Sequence, residues 1–167
     1  MTRTVLILGF EGVQALDMVG PFEVFTGASM FVASQGAGNG ADGYAVRIVS
    51  AGGVPVSTGT GLTLVADPLP DPGGAVDTVV LPGGWGTDVA RRSAELVGWI
   101  AAVAPNARRV VSVCTGAVLA AQAGLLDGCV AAAHWAFGPQ MGAELHLVTV
   151  DPDPLFVRSS PAVWTAA

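Results

Sequence analysis

The chain has 167 residues, 51% of them apolar and only 12% charged, with 7 basic against 13 acidic residues and a net charge of -6. That length fits one domain spanning residues 1–167. A chain of this size buries roughly 70% of its unfolded surface, so it needs neither disulfides nor a structural metal. The apolar content excludes disorder, and the acidic balance excludes a broad electropositive face for a phosphate backbone.

The most apolar run, residues 110–126, reaches only the lower length limit of a membrane-spanning helix and is interrupted by Ser112, Thr115, Gly116, Gln122 and Gly124. Its Val/Ser/Cys half gives way to an Ala/Leu half, the pattern of a buried strand followed by a helix. The apolar stretch before Phe10 and Glu11 is too short for a signal sequence. These features predict a cytoplasmic protein without a membrane partner. In that compartment Cys114 and Cys129 read as free thiols.

In chain order, residues 5–8 (Val-Leu-Ile-Leu) form a continuous apolar run that predicts a strand buried on both faces, hence central and parallel. A helix over 21–33 follows, with Pro21 in its first turn, and 36–43 reads as a loop. Residues 44–50 predict a second strand, 54–65 a small hairpin, 67–74 a surface connection, and 76–81 a strand stopping at Pro82-Gly83-Gly84. A helix capped by Thr87 or Ser93 runs to about Val103, and Pro105 closes it. Residues 110–113 predict a strand, 115–123 a helix ended by Gly124, 130–133 a strand, 137–143 a helix and 145–150 a strand. A hairpin over 155–158 and 162–165 ends the chain. Alternating strands and helices imply a flavodoxin-like three-layer α/β/α sandwich with a mostly parallel sheet, whose ligands sit beyond the carboxyl ends of the strands.

The segment Val-Val-Ser-Val-Cys114-Thr115-Gly116-Ala places a cysteine at a tight junction between a buried strand and a helix. Such a nucleophile elbow exposes the side chain at the sheet edge, and the positive end of the helix favours thiolate over thiol. A buried inert cysteine is the alternative, and Cys129 reads that way. Asp17, in the apolar turn Leu16-Asp17-Met18, is either a proton donor whose pKa burial raises or a helix cap before Pro21. Gly83 and Gly84 could free backbone N–H groups for an oxyanion hole, or form an ordinary turn. His134 could act as base or orienter, or be a satisfied histidine near the core; His146 falls in a strand and reads as structural. Trp85, Trp135, Met18 and Phe10 could wall an apolar pocket. Glu11 and Glu23 read as exposed carboxylates. The sequence contains no Walker motif and no pair of Cys-x-x-Cys motifs, so it predicts no metal and no cofactor.

Several segments together resemble the ThiJ/PfpI superfamily, of the class I glutamine amidotransferase-like fold. They are Gln14-Ala-Leu-Asp17-Met-Val-Gly20-Pro21, Val-Leu-Pro82-Gly83-Gly84, Ser112-Val-Cys114-Thr115-Gly116-Ala, Ala123-Gly-Leu-Leu-Asp127-Gly and His134-Trp135. The resemblance implies an elbow cysteine at Cys114, an acid partner at Asp17, and a pocket near Gly83, Gly84, Thr115 and His134. Two branches are similar. One is the ligand-sensing half of AraC-family transcription regulators, which would bind a small molecule here and reach DNA only through a helix-turn-helix half not in this chain. The other is isonitrile hydratase, a cysteine enzyme that hydrates an isocyanide to an N-substituted formamide. The resemblance also implies a homodimer and a final helix packed on the sheet, whereas this sequence stops after Trp164-Thr165-Ala166-Ala167.

Overall fold

The computed structural model describes residues 2–35 and 43–167. Its elements are β1 (Thr2–Leu8), α1 (Ala15–Ser34), β2 (Gly43–Ser50), the pair β3 (Val56–Ser57) and β4 (Thr63–Leu64), β5 (Asp67–Pro68), β6 (Val76–Leu81), α2 (Thr87–Ala90), α3 (Ala94–Val103) and β7 (Ala107–Val113). After these come α4 (Ala117–Gln122), β8 (Val130–Ala132), α5 (Gly138–Glu144), β9 (Thr149–Asp151), β10 (Phe156–Arg158) and β11 (Val163–Ala166).

A seven-stranded sheet in the order β10-β11-β7-β6-β1-β2-β5 forms the centre. Every neighbouring pair is parallel except β10 with β11. Right-handed twist and helical crossovers place helices on the faces of such a sheet. The result is the mostly parallel, flavodoxin-like α/β arrangement that the alternating pattern implied. Val5, Leu6, Ile7 and Leu8 of β1 are at most 1% exposed, which is why that run has no polar alternation. Leu119 of α4 and Ile100 of α3 are fully buried in the same core. Among the described residues no helix is long and apolar enough to cross a membrane, and the apolar run 110–126 divides into β7, a single 3-10 turn and α4.

Several boundaries differ from the sequence pattern. Helix α1 begins at Ala15, so Pro21 lies inside it rather than in its first turn; the ring removes the N–H that would bond the Asp17 carbonyl. Ala15, Leu16 and Met18 are good helix formers, and the burial of Met18 extends the helix N-terminally. The helix expected after Gly84 is two helices, and Ser93 caps the second by accepting the Leu96 N–H at 3.3 Å. Asp67 and Pro68, read as loop, pair with the end of β2 as the edge strand β5, where a proline's missing N–H is tolerated. The strand expected over 145–150 is confined to β9, so His146 sits in an exposed turn. The loop expected over 36–43 lies largely outside the described residues; Gly43 opens β2. Both hairpins form, β3 with β4 and β10 with β11.

Candidate functional site

The ends of β1, β6 and β7 are pressed together by glycines. A Cβ on Gly116 would collide with the Leu81 carbonyl oxygen and stand 2.8 Å from the Leu81 carbonyl carbon. On Gly83 it would stand 2.6 Å from the Thr115 nitrogen and 3.1 Å from Cys114 Cβ. Gly84, at φ +135, packs against the backbone of Gly12, Val13 and Gln14. The Gln14 N–H donates to the Gly83 carbonyl at 2.8 Å, and the Gly86 N–H to the Gly12 carbonyl at 3.1 Å.

Cys114 follows β7 with φ 56, the single non-glycine residue at positive φ among those described. A left-handed conformation costs an L-residue about 1–2 kcal/mol. The glycine-enforced contacts of Gly116 and Gly83 hold the backbone there, and the elbow expected from sequence is present as geometry. Asp17 is in the first turn of α1 and 8% exposed. It is not a cap, because its Oδ2 reaches across to accept the Gly83 N–H at 3.0 Å. Burial raises the Asp17 pKa, against the opposing pull of the Gly83 hydrogen bond and of His134.

The electrostatics run against the thiolate expected from the helix end. Burial, and then the neighbouring Asp17 carboxylate, push the Cys114 thiol up; hydrogen bonds from the Thr115 N–H and hydroxyl offset this in part. Helix α4 has only six residues and starts after the intervening 3-10 turn, so its dipole sits further from the sulfur than a helix starting at Cys114 would place it. The oxyanion hole expected at Gly83 and Gly84 is also closed. The Gly83 N–H is spent on Asp17, and the Gly84 N–H donates to Thr115 Oγ1 at 3.0 Å.

A cavity of about 660 Å³ opens beside Cys114 and brings Asp17, Gly84, Thr115 and His134 to one surface, with Gln14, Leu16, Trp85, Val118, Phe137 and Met141. Gly83 lies behind this wall and is buried. His134 Nδ1 accepts the Ala136 N–H at 3.2 Å, and among the described residues no hydrogen bond links it to Cys114. Of the aromatic candidates, Trp85 borders the cavity edge-on to Phe137, with ring centroids 6.0 Å apart. Met18 and Phe10 are core, and Trp135 stacks on His134 at the surface. Cys129 is a free thiol beside the Asp127 carbonyl.

Residues that sequence reading did not single out as site residues complete the cavity. Thr87 of α2 is 5% exposed and hydrogen-bonded to Gly84 and Thr115. Arg91 bridges Asp88 at 2.7 Å and Glu144 of α5 at 3.0 Å, tying the two helices across the cavity rim. Neither shows a sequence signal, since both depend on the separate βα loops meeting in space.

A strained cysteine at a strand-to-helix elbow, a buried carboxyl from the first βα turn and a Pro-Gly-Gly turn beside both define an α/β protein with a cysteine pocket at the carboxyl edge of its sheet. Residues 3–164 match the DJ-1/PfpI family, and the chain belongs to that family. Among its relatives it is 40% identical over 131 residues to an "uncharacterized protein in cpoL 5'region" of Streptomyces lividans, covering 78% of this chain and 86% of that one. It is 64% identical over 55 residues to the HTH-type transcriptional regulator Rv1931c of Mycobacterium tuberculosis, covering 33% of this chain and 21% of the regulator. With the isonitrile hydratase of Pseudomonas putida it shares 33% identity over 146 residues, covering 86% of this chain and 58% of the enzyme. Among solved structures, a ThiJ/PfpI family protein from Pseudomonas syringae superposes with a TM-score of 0.79 at 24% identity, over 100% of this chain and 63% of that one.

Proposed function

We propose that this domain senses a small molecule in the cavity beside Cys114, as the ligand-binding portion of an AraC-type transcription regulator. DNA contact then belongs to a helix-turn-helix segment outside this chain, in a cytoplasmic homodimer. The observation that carries the reading is the state of the site. The cavity is roomy and largely apolar, yet its sulfur is biased toward the thiol and the nearby backbone donors are already committed to Asp17 and Thr115. Such a pocket can hold a ligand, whereas acyl-type chemistry would need free oxyanion donors. The 64% identity with a segment of an HTH-type regulator supports the same reading.

The elbow strain at Cys114, together with the 33% identity to isonitrile hydratase, supports a second reading. Here Cys114 Sγ bonds to the terminal isonitrile carbon while a proton, passed through Asp17, goes to that carbon, giving a thioimidate. Water then adds, the C–S bond breaks, the sulfur is reprotonated and an N-substituted formamide leaves. A carboxyl with a raised pKa suits that proton transfer. This route does not require an oxyanion hole.

One pair of assays separates the two. The sensing reading expects no formamide from alkyl isocyanides. It expects saturable thermal stabilisation by some member of a panel of small amides, amines and carboxylates, abolished by Val118→Trp, which fills the cavity. Formamide production that is lost in Cys114→Ala and in Asp17→Asn would overturn it in favour of the hydratase. Reading the gene beyond the Ala167 codon for a helix-turn-helix tests the DNA half.

A further inference from the structure

The wall of the cavity beside Cys114 restricts the chemistry of what can occupy it, an inference that rests on the reading that the cavity holds a small molecule. Trp85 follows the Pro-Gly-Gly turn and is held on two sides. A Cβ on Gly59 would stand 3.0 Å from its Cδ1, so the indole lies against bare backbone of the β3–β4 turn, and Phe137 meets it edge-on with ring centroids 6.0 Å apart. The ring is nevertheless 78% exposed. A large apolar ring fixed at a cavity wall with most of its surface unspent is a platform for a ligand, not a core residue. Gln14 stands at the same corner, because the Gly84 backbone packs against it. It lines the cavity, and its side chain makes no capping hydrogen bond to α1. Its amide therefore keeps both donor and acceptor open, the complement of another amide.

The charged groups of the wall, by contrast, are spent on one another. Arg91 lies between Asp88 at 2.7 Å and Glu144 at 3.0 Å; Asp88 also faces Arg92 at 3.6 Å, and Glu144 accepts from Gln140 at 2.9 Å. An anionic ligand would have to displace a carboxylate from Arg91, and a cationic one would find both carboxylates occupied. Asp17 is buried, its Oδ2 takes the Gly83 N–H, and burial raises its pKa, which disfavours the charge a cation would seek. His134 accepts the Ala136 N–H at Nδ1, which a doubly protonated ring could not do. A charged ligand would thus lose its water without gaining a free counter-ion. We propose that the cavity takes an uncharged ligand built from a flat apolar ring and an amide-type polar group, the ring lying on Trp85 and the polar group meeting Gln14.

Benzamide, benzoate and benzylamine share one ring and differ in charge, so titrating each into the full chain by isothermal calorimetry at neutral pH tests the proposal. Benzamide should bind saturably, and both charged analogues about tenfold more weakly or not at all. Trp85→Ala should weaken benzamide by about tenfold, and Gln14→Leu by several-fold. Trp135→Ala should leave the affinity in place, since that ring is 73% exposed but stacks on His134 outside the cavity. If Trp85→Ala loosens the fold, Trp85→Leu, which keeps an apolar side chain without the ring, reads the same contact. Equal or tighter binding of benzoate or benzylamine would overturn the ligand class while leaving a sensing cavity. Benzamide binding unchanged in Trp85→Ala, or no saturable heat up to the solubility limit of benzamide, would overturn the proposal as well.

Discussion

Two glycine-to-alanine substitutions should act in opposite directions, and the difference measures how tightly the elbow is held. Gly98 lies within α3, and a Cβ there would meet nothing within 4 Å. Gly98→Ala should therefore give the ordinary helix-propensity gain of about 1 kcal/mol. Gly116 also has helical angles, φ -59 and ψ -21, so propensity alone predicts a similar gain. Its Cβ, however, would strike the Leu81 carbonyl and stand 3.0 Å from the Pro82 carbonyl carbon, both backbone groups of the β6 end that cannot rotate away. Overpacking of this kind costs roughly 1–3 kcal/mol, and more when the obstacle is backbone. The net effect of Gly116→Ala should be a loss of about 2 kcal/mol, and the two variants should differ by about 3 kcal/mol. At ~2–4 °C per kcal/mol for a chain of this length, their melting temperatures should separate by roughly 6–12 °C. Thermal unfolding followed by far-UV circular dichroism reads both midpoints. If Gly116→Ala is as stable as Gly98→Ala, the close packing of β6 against the elbow does not constrain the cysteine.

Two carboxyls should respond to pH with opposite signs. The Asp17 pKa is raised above its ordinary 3.8, so its burial costs nothing below that value and stability is lost as pH rises through the folded pKa. Asp17→Asn should accordingly gain stability over the parent as pH climbs from about 4 to 7; a gap in urea midpoint that stays constant across that range would refute this. The Asp77 pKa is lowered, chiefly by its hydrogen bonds from Arg108 at 2.7 and 2.8 Å, so its stabilisation is present above 3.8 and fades as pH falls through the folded value. Asp77→Asn should weaken the protein at pH 7 and converge with the parent in acid, which thermal melts at a series of pH values would check. Leu119, fully buried in α4, should cost about 2–5 kcal/mol when cut to alanine, and a loss under 1 kcal/mol by urea unfolding would mean that α4 is not anchored through this side chain.

Strand positions were legible because burial on both faces writes an unbroken apolar run. Residues 5–8 emerge inside β1 for that reason, and the run Val79-Val80-Leu81 inside β6. Helix limits were less legible. The start of α1 depends on Met18 finding the core, and the break between α2 and α3 on a local Ser93 cap, neither of which periodicity encodes. The motif spacing around Cys114, Asp17, Thr115 and His134 located the candidate site, and the cavity gathers those four residues.

What the sequence determined by itself was the alternation of buried runs and helices, the glycines at the strand ends and the placing of a cysteine after β7. These are properties of neighbours in the chain. The occupancy of each hydrogen-bond donor was decided only in three dimensions. Gly83 is 66 residues from Asp17 and Gly84 is 31 from Thr115, so their N–H groups look free in the sequence and are committed in the fold. The upward shift of the Cys114 thiol was decided likewise, because desolvation and the Asp17 charge act through space and follow from which side chains the sheet brings to one edge.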